Sequence, residues 1–330
     1  MNRALLEVSH LSVRYRLANT AVMAVDDVSF SVQGNEIVGL VGESGSGKST
    51  VAQAVLRLLS AELAEVTGEV TFRDQNILSL DEESLRRLRW TQLALVSQSS
   101  MNALNPLRTI AQHFDDVWAA HHVLAVSERR QKNVALLTMV NLDPVILERY
   151  PHQLSGGMRQ RVAIALAMMF QAPFVIMDEP TTALDVLVER DILAEIHALQ
   201  QKNHLSILFI THDLNVIFKL AHRLLIMYGG EIVEAGPTEA VKDAAHHPYT
   251  QGLHRSFLSL DTARTRQHGI AGQPPDMKQH QTGCRFAPRC SYAREVCYTT
   301  ITTFQWVDAF HTHGVRCHYW REIEQHDRQH

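Results

Sequence analysis

Glu36-Ile37-Val38-Gly39-Leu40-Val41 runs directly into Gly42-Glu43-Ser44-Gly45-Ser46-Gly47-Lys48-Ser49. The first six residues form a nearly continuous apolar run that ends in glycine. Such a run suits a strand buried on both faces of a parallel sheet. The next eight fit G-x-x-x-x-G-K-[ST] without a mismatch. Glycines at this spacing let the backbone wrap a phosphate at close range with its N–H groups pointing inward. The pattern predicts a helix over Ser49–Leu59, apolar at Val51, Ala54, Val55 and Leu58. Its N-terminus would add positive dipole to the same place. Strand, glycine loop and helix in that order open an α/β domain. Lys48 is expected to reach the β- and γ-phosphates, and Ser49 to offer a hydroxyl to Mg²⁺. Gly42, Ser44, Gly45, Ser46, Gly47 and Thr50 complete the phosphate-binding stretch.

Phe174-Val175-Ile176-Met177-Asp178-Glu179 supplies the complementary half. Four apolar residues predict a buried strand. Its carboxyl end presents two acids at the sheet edge, where ligands bind in open α/β folds. Asp178 suits a role linked to Mg²⁺, and Glu179 that of a general base polarising a water. Alone, an apolar run followed by Asp-Glu is an ordinary strand exit. The glycine loop upstream reverses that balance.

The rest of the chain bounds the reading. It has 330 residues, a formal charge of −4, 45% hydrophobic and 20% charged residues. About 150 residues per domain implies roughly two domains. The charge argues against a protein that coats nucleic acid, and the composition against disorder. The N-terminus carries no apolar stretch of signal-peptide type. The longest apolar run, Val162–Phe170, is too short to span a bilayer. A soluble, cytoplasmic chain that can dock on a membrane partner is expected. Strands are predicted at Leu5–Val8, Leu11–Tyr15, Val25–Val32 and Ile207–Ile210, and a helix at Leu187–Gln201. A hairpin is predicted from Leu224–Tyr228 and Glu231–Glu234 across Gly229-Gly230. Between about 99 and 160 the texture is helical, with helices expected at Ile110–Val123, Glu128–Val140 and Val145–Arg149. This stretch reads as an insertion between two α/β parts.

Leu154-Ser155-Gly156-Gly157-Met158-Arg159-Gln160-Arg161 lies between the two phosphate-related stretches. Ser155, Gly156 and Gly157 make a small, donor-rich helix N-terminus that suits a γ-phosphate. Together the three stretches resemble the signature of ABC-transporter ATPase subunits, over nearly the whole chain. The resemblance implies a P-loop ABC ATPase core: a mixed sheet with helices, an antiparallel β-subdomain and an inserted helical subdomain. It implies ATP and Mg²⁺ as ligands. It also implies a head-to-tail dimer, in which the signature of one subunit faces the phosphate loop of the other. Gln98, after Leu93-Ala94-Leu95-Val96-Ser97, is similar to the glutamine that links Mg²⁺ and water to the helical part. His212 resembles the switch histidine at the γ-phosphate, and Ala183-Leu184-Asp185 the loop that crosses the dimer interface. Tyr15 resembles the aromatic that stacks on adenine, although the loop expected at Arg16–Thr20 leaves its register open. Here Gln98 is followed by Ser99-Ser100 instead of the family's acidic-proline pair.

The tail narrows the family. His246-His247-Pro248-Tyr249-Thr250-Gln251-Gly252-Leu253, Gly272-Gln273-Pro274-Pro275 and Gly283-Cys284-Arg285-Phe286-Ala287-Pro288-Arg289-Cys290 are similar to the C-terminal extension of dipeptide, oligopeptide and nickel importer ATPases. We divide the chain at 245/246 into an ATPase domain and this small extension. The resemblance implies a second ATPase subunit, identical or related, two permease subunits and an extracytoplasmic substrate-binding protein, with no nucleic acid. It implies a peripheral location on the cytoplasmic face of the inner membrane.

All 4 cysteines, Cys284, Cys290, Cys297 and Cys317, sit in the extension. That is not the spread of a secreted disulfide framework. Three readings stay open: a [4Fe–4S] cluster, as in some members of this branch; tetrahedral zinc, although the short two-cysteine knuckle is absent; and unligated thiols. Arg285 and Arg289 beside two of them suggest local charge that favours thiolates. For the whole chain, the leading expectation is an ATP-hydrolysing importer subunit moving peptides, with nickel or other metal chelates behind them. The alternatives are a soluble ABC ATPase of translation or DNA repair, and a regulatory subunit that binds ATP without turnover. One phosphate loop, one signature and no long heptad run disfavour the former. Glu179 and His212 disfavour the latter.

Overall fold

The computed structural model describes residues 4–17, 20–98, 103–121, 125–182, 184–258, 270–279 and 281–327. The chain divides into two compact units, Met1–Ser79 with Phe209–His330, and Leu80–Leu208.

In the first unit, an antiparallel sheet has the order Thr20–Val32, Leu6–Leu17, Ala64–Phe72, Gln75–Asn76. The two strands expected at Leu5–Val8 and Leu11–Tyr15 are one strand. Leu6 and Val8 are buried, then Leu11 and Val13, so the apolar phase changes from even to odd positions. A bulge absorbs the change: pairing with the neighbouring strand shifts between Val8 and Leu11, and His10 adopts φ 51°. Opposite it, Gly68 has φ 98°, and a Cβ there would lie 2.4 Å from the His10 carbonyl oxygen. That glycine weakens the alternation of Ala64–Phe72, a strand the sequence pattern does not announce. Of the loop expected at Arg16–Thr20, Arg16 and Leu17 belong to the strand and pair with Ala21 and Thr20, while residues 18 and 19 lie outside the described residues.

The same unit holds a second, mixed set of strands. Ile37–Val41 runs parallel to Arg223–Tyr228, with Leu40 opposite Leu225. Arg223–Tyr228 turns back into Glu231–Pro237 through Gly229 and Gly230, at φ 54° and 87°. Two consecutive positive φ values are what a two-residue hairpin turn demands. Gly314–Val315 and then Gln305–Trp306 extend this sheet beyond Glu231–Pro237. Strands of two residues leave no periodicity to read. The helix after the glycine loop is Lys48–Val55 and stops short of Leu59. Arg57 turns to φ 50°, and Leu58, expected inward, is 46% exposed.

In the second unit, Leu93–Val96 and Phe174–Asp178 pair in parallel, with Leu95 opposite Ile176. The helices are Glu82–Leu88, Ile110–His121, Val126–Met139, Gly156–Ala167 and Val186–Asn203. Ile110, Phe114 and Trp118 recur every fourth residue and are buried on one face. The Trp118 indole donates to Asn133 Oδ1 at 2.8 Å, which satisfies an amide that is 2% exposed. The helix expected at Val145–Arg149 is a 3-10 turn, Pro144–Glu148, capped by Asp143 through the Val145 N–H. Ser206–Thr211, buried throughout, carries the division between the units.

A buried polar junction fastens the segment after residue 245 to the first unit's sheet. Glu234 has no exposed surface. It accepts the N–H groups of His246 at 2.8 Å and His247 at 3.0 Å, and lies 2.9 Å from His313 Nε2. Burial alone would raise its pKa. The hydrogen bonds from His313, His246 and His247 offset this and hold it below the ordinary carboxylate value. His247 is fully buried beside it, and its Nδ1 accepts the Tyr249 N–H at 3.1 Å. A ring that accepts at Nδ1 must be neutral there. Burial accordingly lowers its pKa to about 4.

This sets a sign. The unfolded histidine takes a proton near pH 6.5 and the folded one near 4, so neutral His247 contributes stability that is complete above about 6.5. That contribution is lost as pH falls from there through about 4. Urea midpoints should therefore fall between pH 7 and pH 5 more steeply in the parent chain than in His247→Gln. Equal slopes would contradict the assignment.

Candidate functional site

The phosphate loop belongs to the first unit. Ile37–Val41 is buried over its whole length and delivers the chain to Gly42. A Cβ on Gly42 would lie 2.1 Å from the Met227 carbonyl oxygen, so any other residue there displaces a neighbouring strand. Gly47 has φ 105°, and its Cβ would meet the Ala24 carbonyl oxygen at 2.3 Å. Gly45 also needs a positive φ, 80°. Ser46 N donates to Glu43 O at 3.1 Å, and Gly230 N to Ser46 O at 2.9 Å. The loop is thus a cradle already formed, tied to the hairpin Gly229–Gly230.

Lys48 is 5% exposed and points into that cradle. Its Nζ donates to Gly42 O at 2.7 Å, Glu43 O at 2.9 Å and Ser46 Oγ at 3.4 Å. An ammonium has three donors, and three loop acceptors use them. Phosphate oxygens are stronger acceptors and could exchange for them. The donor set therefore fits a polyphosphate. Ser49 and Thr50 follow in the first turn of Lys48–Val55, both half-buried. Tyr15 Oη lies 3.3 Å from Thr50 Oγ1. Its register is fixed, opposite Val22 and Ala64. His212 is exposed on the bend between Ser206–Thr211 and Leu214–Phe218.

The acids belong to the second unit. Phe174–Asp178 is buried to its last residue, and Asp178 is 7% exposed. Glu179 leaves the strand at φ 48°, a left-handed conformation that a glutamate adopts only under constraint. Gln98 Nε2 donates to Glu179 Oε2 at 2.9 Å, and Thr182 Oγ1 donates to the same oxygen at 2.9 Å. The structure thus brings together Gln98 and Glu179, distant in sequence. Thr182 is a partner that sequence reasoning missed. Its position three residues after Glu179 was the available signal.

Ser155 caps Gly156–Ala167, its Oγ accepting the Met158 N–H at 3.3 Å. A Cβ on Gly157 would lie 2.5 Å from Val188 Cγ1, so the glycine allows the signature helix to approach Val186–Asn203 closely. Arg161 and Asn141 both reach Glu195 on that helix, at 2.9 and 3.0 Å. Asp185 caps the same helix through the Val188 N–H. Val186 and Leu187, at its start, are 79% and 64% exposed. Of the predicted interface loop, Ala183 lies outside the described residues, as do Ser99 and Ser100 beyond Gln98.

The four cysteines line one cavity of about 20 Å³ with His247 and Phe286, and none forms a disulfide. That volume holds about one water. Among the described residues no three His, Cys, Asp or Glu side chains are grouped to hold a metal ion. As shaped, the cavity does not fit a cluster. The expected thiolate character is also corrected. Burial pushes Cys290 up to about 11 and Cys317 up to about 12, and raises Cys284. The neighbouring arginines are engaged elsewhere, Arg285 with Asp26 and Arg289 with Glu43.

No helix among the described residues is long and apolar enough to cross a membrane. The ABC transporter family matches residues 25–182, and the oligopeptide/dipeptide transporter C-terminal region matches residues 233–297. A putative peptide import ATP-binding protein of Brucella abortus (strain 2308) is 39% identical over 295 residues, 89% of each chain. The dipeptide transport ATP-binding protein DppD of Caldanaerobacter subterraneus subsp. tengcongensis is 36% identical over 320 residues, 96% of this chain and 98% of that one. Among solved structures, the ATP-binding cassette MJ0796 bound to ADP and Pi superposes with a TM-score of 0.63 at 28% identity. The match covers 71% of this chain and 98% of that chain. The chain belongs to the ATP-binding subunits of the ABC transporter family, in the branch that carries the oligopeptide/dipeptide transporter C-terminal region, and is an ATPase.

Proposed function

We propose that this chain energises uptake of peptides, with nickel or other metal chelates as the second cargo class, through partner permeases. The observation that carries the reading is Glu179: a carboxylate under backbone constraint, held by Gln98 and Thr182 at the end of a buried strand. Two donors on one carboxylate oxygen fix its aim, as a base that must meet a water requires.

We assign the roles as follows. Gly42, Ser44, Gly45, Ser46, Gly47 and Thr50 donate to ATP phosphates, and Lys48 neutralises their charge. Tyr15 stacks on the adenine. Ser49, Gln98 and Asp178 would hold Mg²⁺, which supplies charge to the polyphosphate when bound. Glu179 takes the proton of the attacking water, and His212 contacts the γ-phosphate. Ser155, Gly156 and Gly157 serve the ATP of a second subunit, identical or related. The exposed Val186 and Leu187 suit such a partner surface. Two permeases and an extracytoplasmic binding protein complete the assembly, with this chain on the cytoplasmic face of the membrane. The ATPase domain ends at about residue 245, with its helical part at about 99–160, and the extension follows. The names of the relatives favour peptides and give no support to a soluble ATPase of translation or DNA repair.

The cavity shared by four thiols is where an iron–sulfur group in the extension would sit. Binding would require that cavity to widen and the thiols to lose their protons. Anaerobic purification followed by iron and sulfide analysis tests it. Four irons per chain support the cluster, and metal-free protein with native stability makes the thiols packing groups.

Phosphate release tests the main reading. Glu179→Gln should lower ATP turnover by roughly 10²–10⁴-fold, the range of a general base, while ATP binding persists. Turnover that survives in Glu179→Gln would remove Glu179 from the mechanism.

A further inference from the structure

The segment after residue 245 reaches the phosphate loop at Glu43, within the first unit. Arg289 ends the one-turn 3-10 helix Ala287–Arg289, between Cys284 and Cys290. It grips the Glu43 carboxylate with both arms, Nη1 to Oε2 at 2.7 Å and Nη2 to Oε1 at 3.0 Å. The Arg289 side chain is 4% exposed and that of Glu43 28%. The guanidinium is itself fixed. Its Nε donates to Ala271 O at 2.9 Å and its Nη2 to Ile270 O at 2.9 Å, and it lies over the Tyr228 ring at 5.7 Å. A second tether acts on the backbone. Tyr249 Oη accepts the Glu43 N–H at 2.8 Å, and Tyr249 is fully buried.

Glu43 sits inside a loop whose N–H groups and lysine gather negative charge. A carboxylate left unpaired there would repel a polyphosphate. It would also be free to compete for Lys48. A bidentate guanidinium removes both problems, since its planar fork fixes geometry as well as charge.

We propose that Arg289 and Tyr249 are positioning residues for ATP binding: Arg289 neutralises and holds the Glu43 carboxylate, and Tyr249 fixes the loop backbone through the Glu43 N–H. The inference rests on Gly42–Ser49 being the ATP phosphate loop. The extension is then part of the nucleotide site and not an appendage to it.

Equilibrium dialysis of ATP with Mg²⁺ against the full chain tests it, with thermal melting and phosphate release alongside. Arg289→Ala should weaken ATP binding about tenfold, with turnover at saturating ATP within about twofold of the parent. Adding Glu43→Gln should recover most of the affinity, because the unpaired charge is gone. Tyr249→Phe keeps the ring and removes the acceptor, and should weaken binding about threefold. If Arg289→Ala does not fold, Arg289→Lys replaces it, keeping charge without the fork and losing less affinity.

Unchanged affinity in folded Arg289 and Tyr249 variants, with only melting affected, would make both residues mere staples and overturn the proposal. So would an affinity loss in Arg289→Ala that Glu43→Gln does not relieve. Lys48→Ala separates the two levels. Normal ATP binding by Lys48→Ala would overturn the phosphate-loop reading, and this inference with it.

Discussion

Everything in the first unit turns on one steric demand: backbone N–H groups must surround an anion with no side chain in the way. Gly42 and Gly47 meet it by lying against carbonyl oxygens, of Met227 and of Ala24, where a Cβ has no room. The demand propagates. Because Gly42 touches Met227, the loop is locked to Arg223–Tyr228, the strand paired with Ile37–Val41. Because Gly47 touches Ala24, it is locked to the antiparallel strand Thr20–Val32. The hairpin at Gly229–Gly230 then closes the arrangement through the Ser46 carbonyl. Close approach of this kind leaves interiors little freedom to relax.

The local backbone of the candidate site was legible because neighbouring residues set it. The glycine loop, the Asp178-Glu179 strand exit and the Ser155-Gly156-Gly157 helix start each declare a conformation through residue types a few positions apart. Buried strands such as Ile37–Val41 and Phe174–Asp178 were legible for a related reason, since burial on both faces leaves an unbroken apolar run. What escaped was non-local. The bulge at His10 fuses two apparent strands, and the glycine that makes room for it, Gly68, lies across the sheet. The two-residue strands Gln305–Trp306 and Gly314–Val315 have no period at all. The early end of Lys48–Val55 depends on the backbone turn at Arg57, which no side-chain pattern announces.

The extension shows the same limit most clearly. His246, His247 and His313 converge on buried Glu234. The extension's arginines looked like activators of cysteine, yet Arg285 and Arg289 serve carboxylates at Asp26 and Glu43. A buried carboxylate is costly unless paired and hydrogen-bonded, so these contacts decide where the extension sits on the sheet. Sequence spacing carries no information about the arginine pairs, whose partners lie 259 and 246 residues away, or about His313, 79 residues from Glu234.

In the second unit, the acid, the glutamine and the signature helix share a framework of helices clamped through Glu195 and the Gly157–Val188 contact. The account's central claim is that this machinery drives a membrane importer. The most direct measurement is recovery of the Glu179→Gln chain from its native membranes with ATP and Mg²⁺, followed by mass spectrometry. The account predicts two permease subunits and a second ATPase subunit bound to it. Recovery of ribosomal or DNA-repair proteins, with no membrane protein, would contradict it.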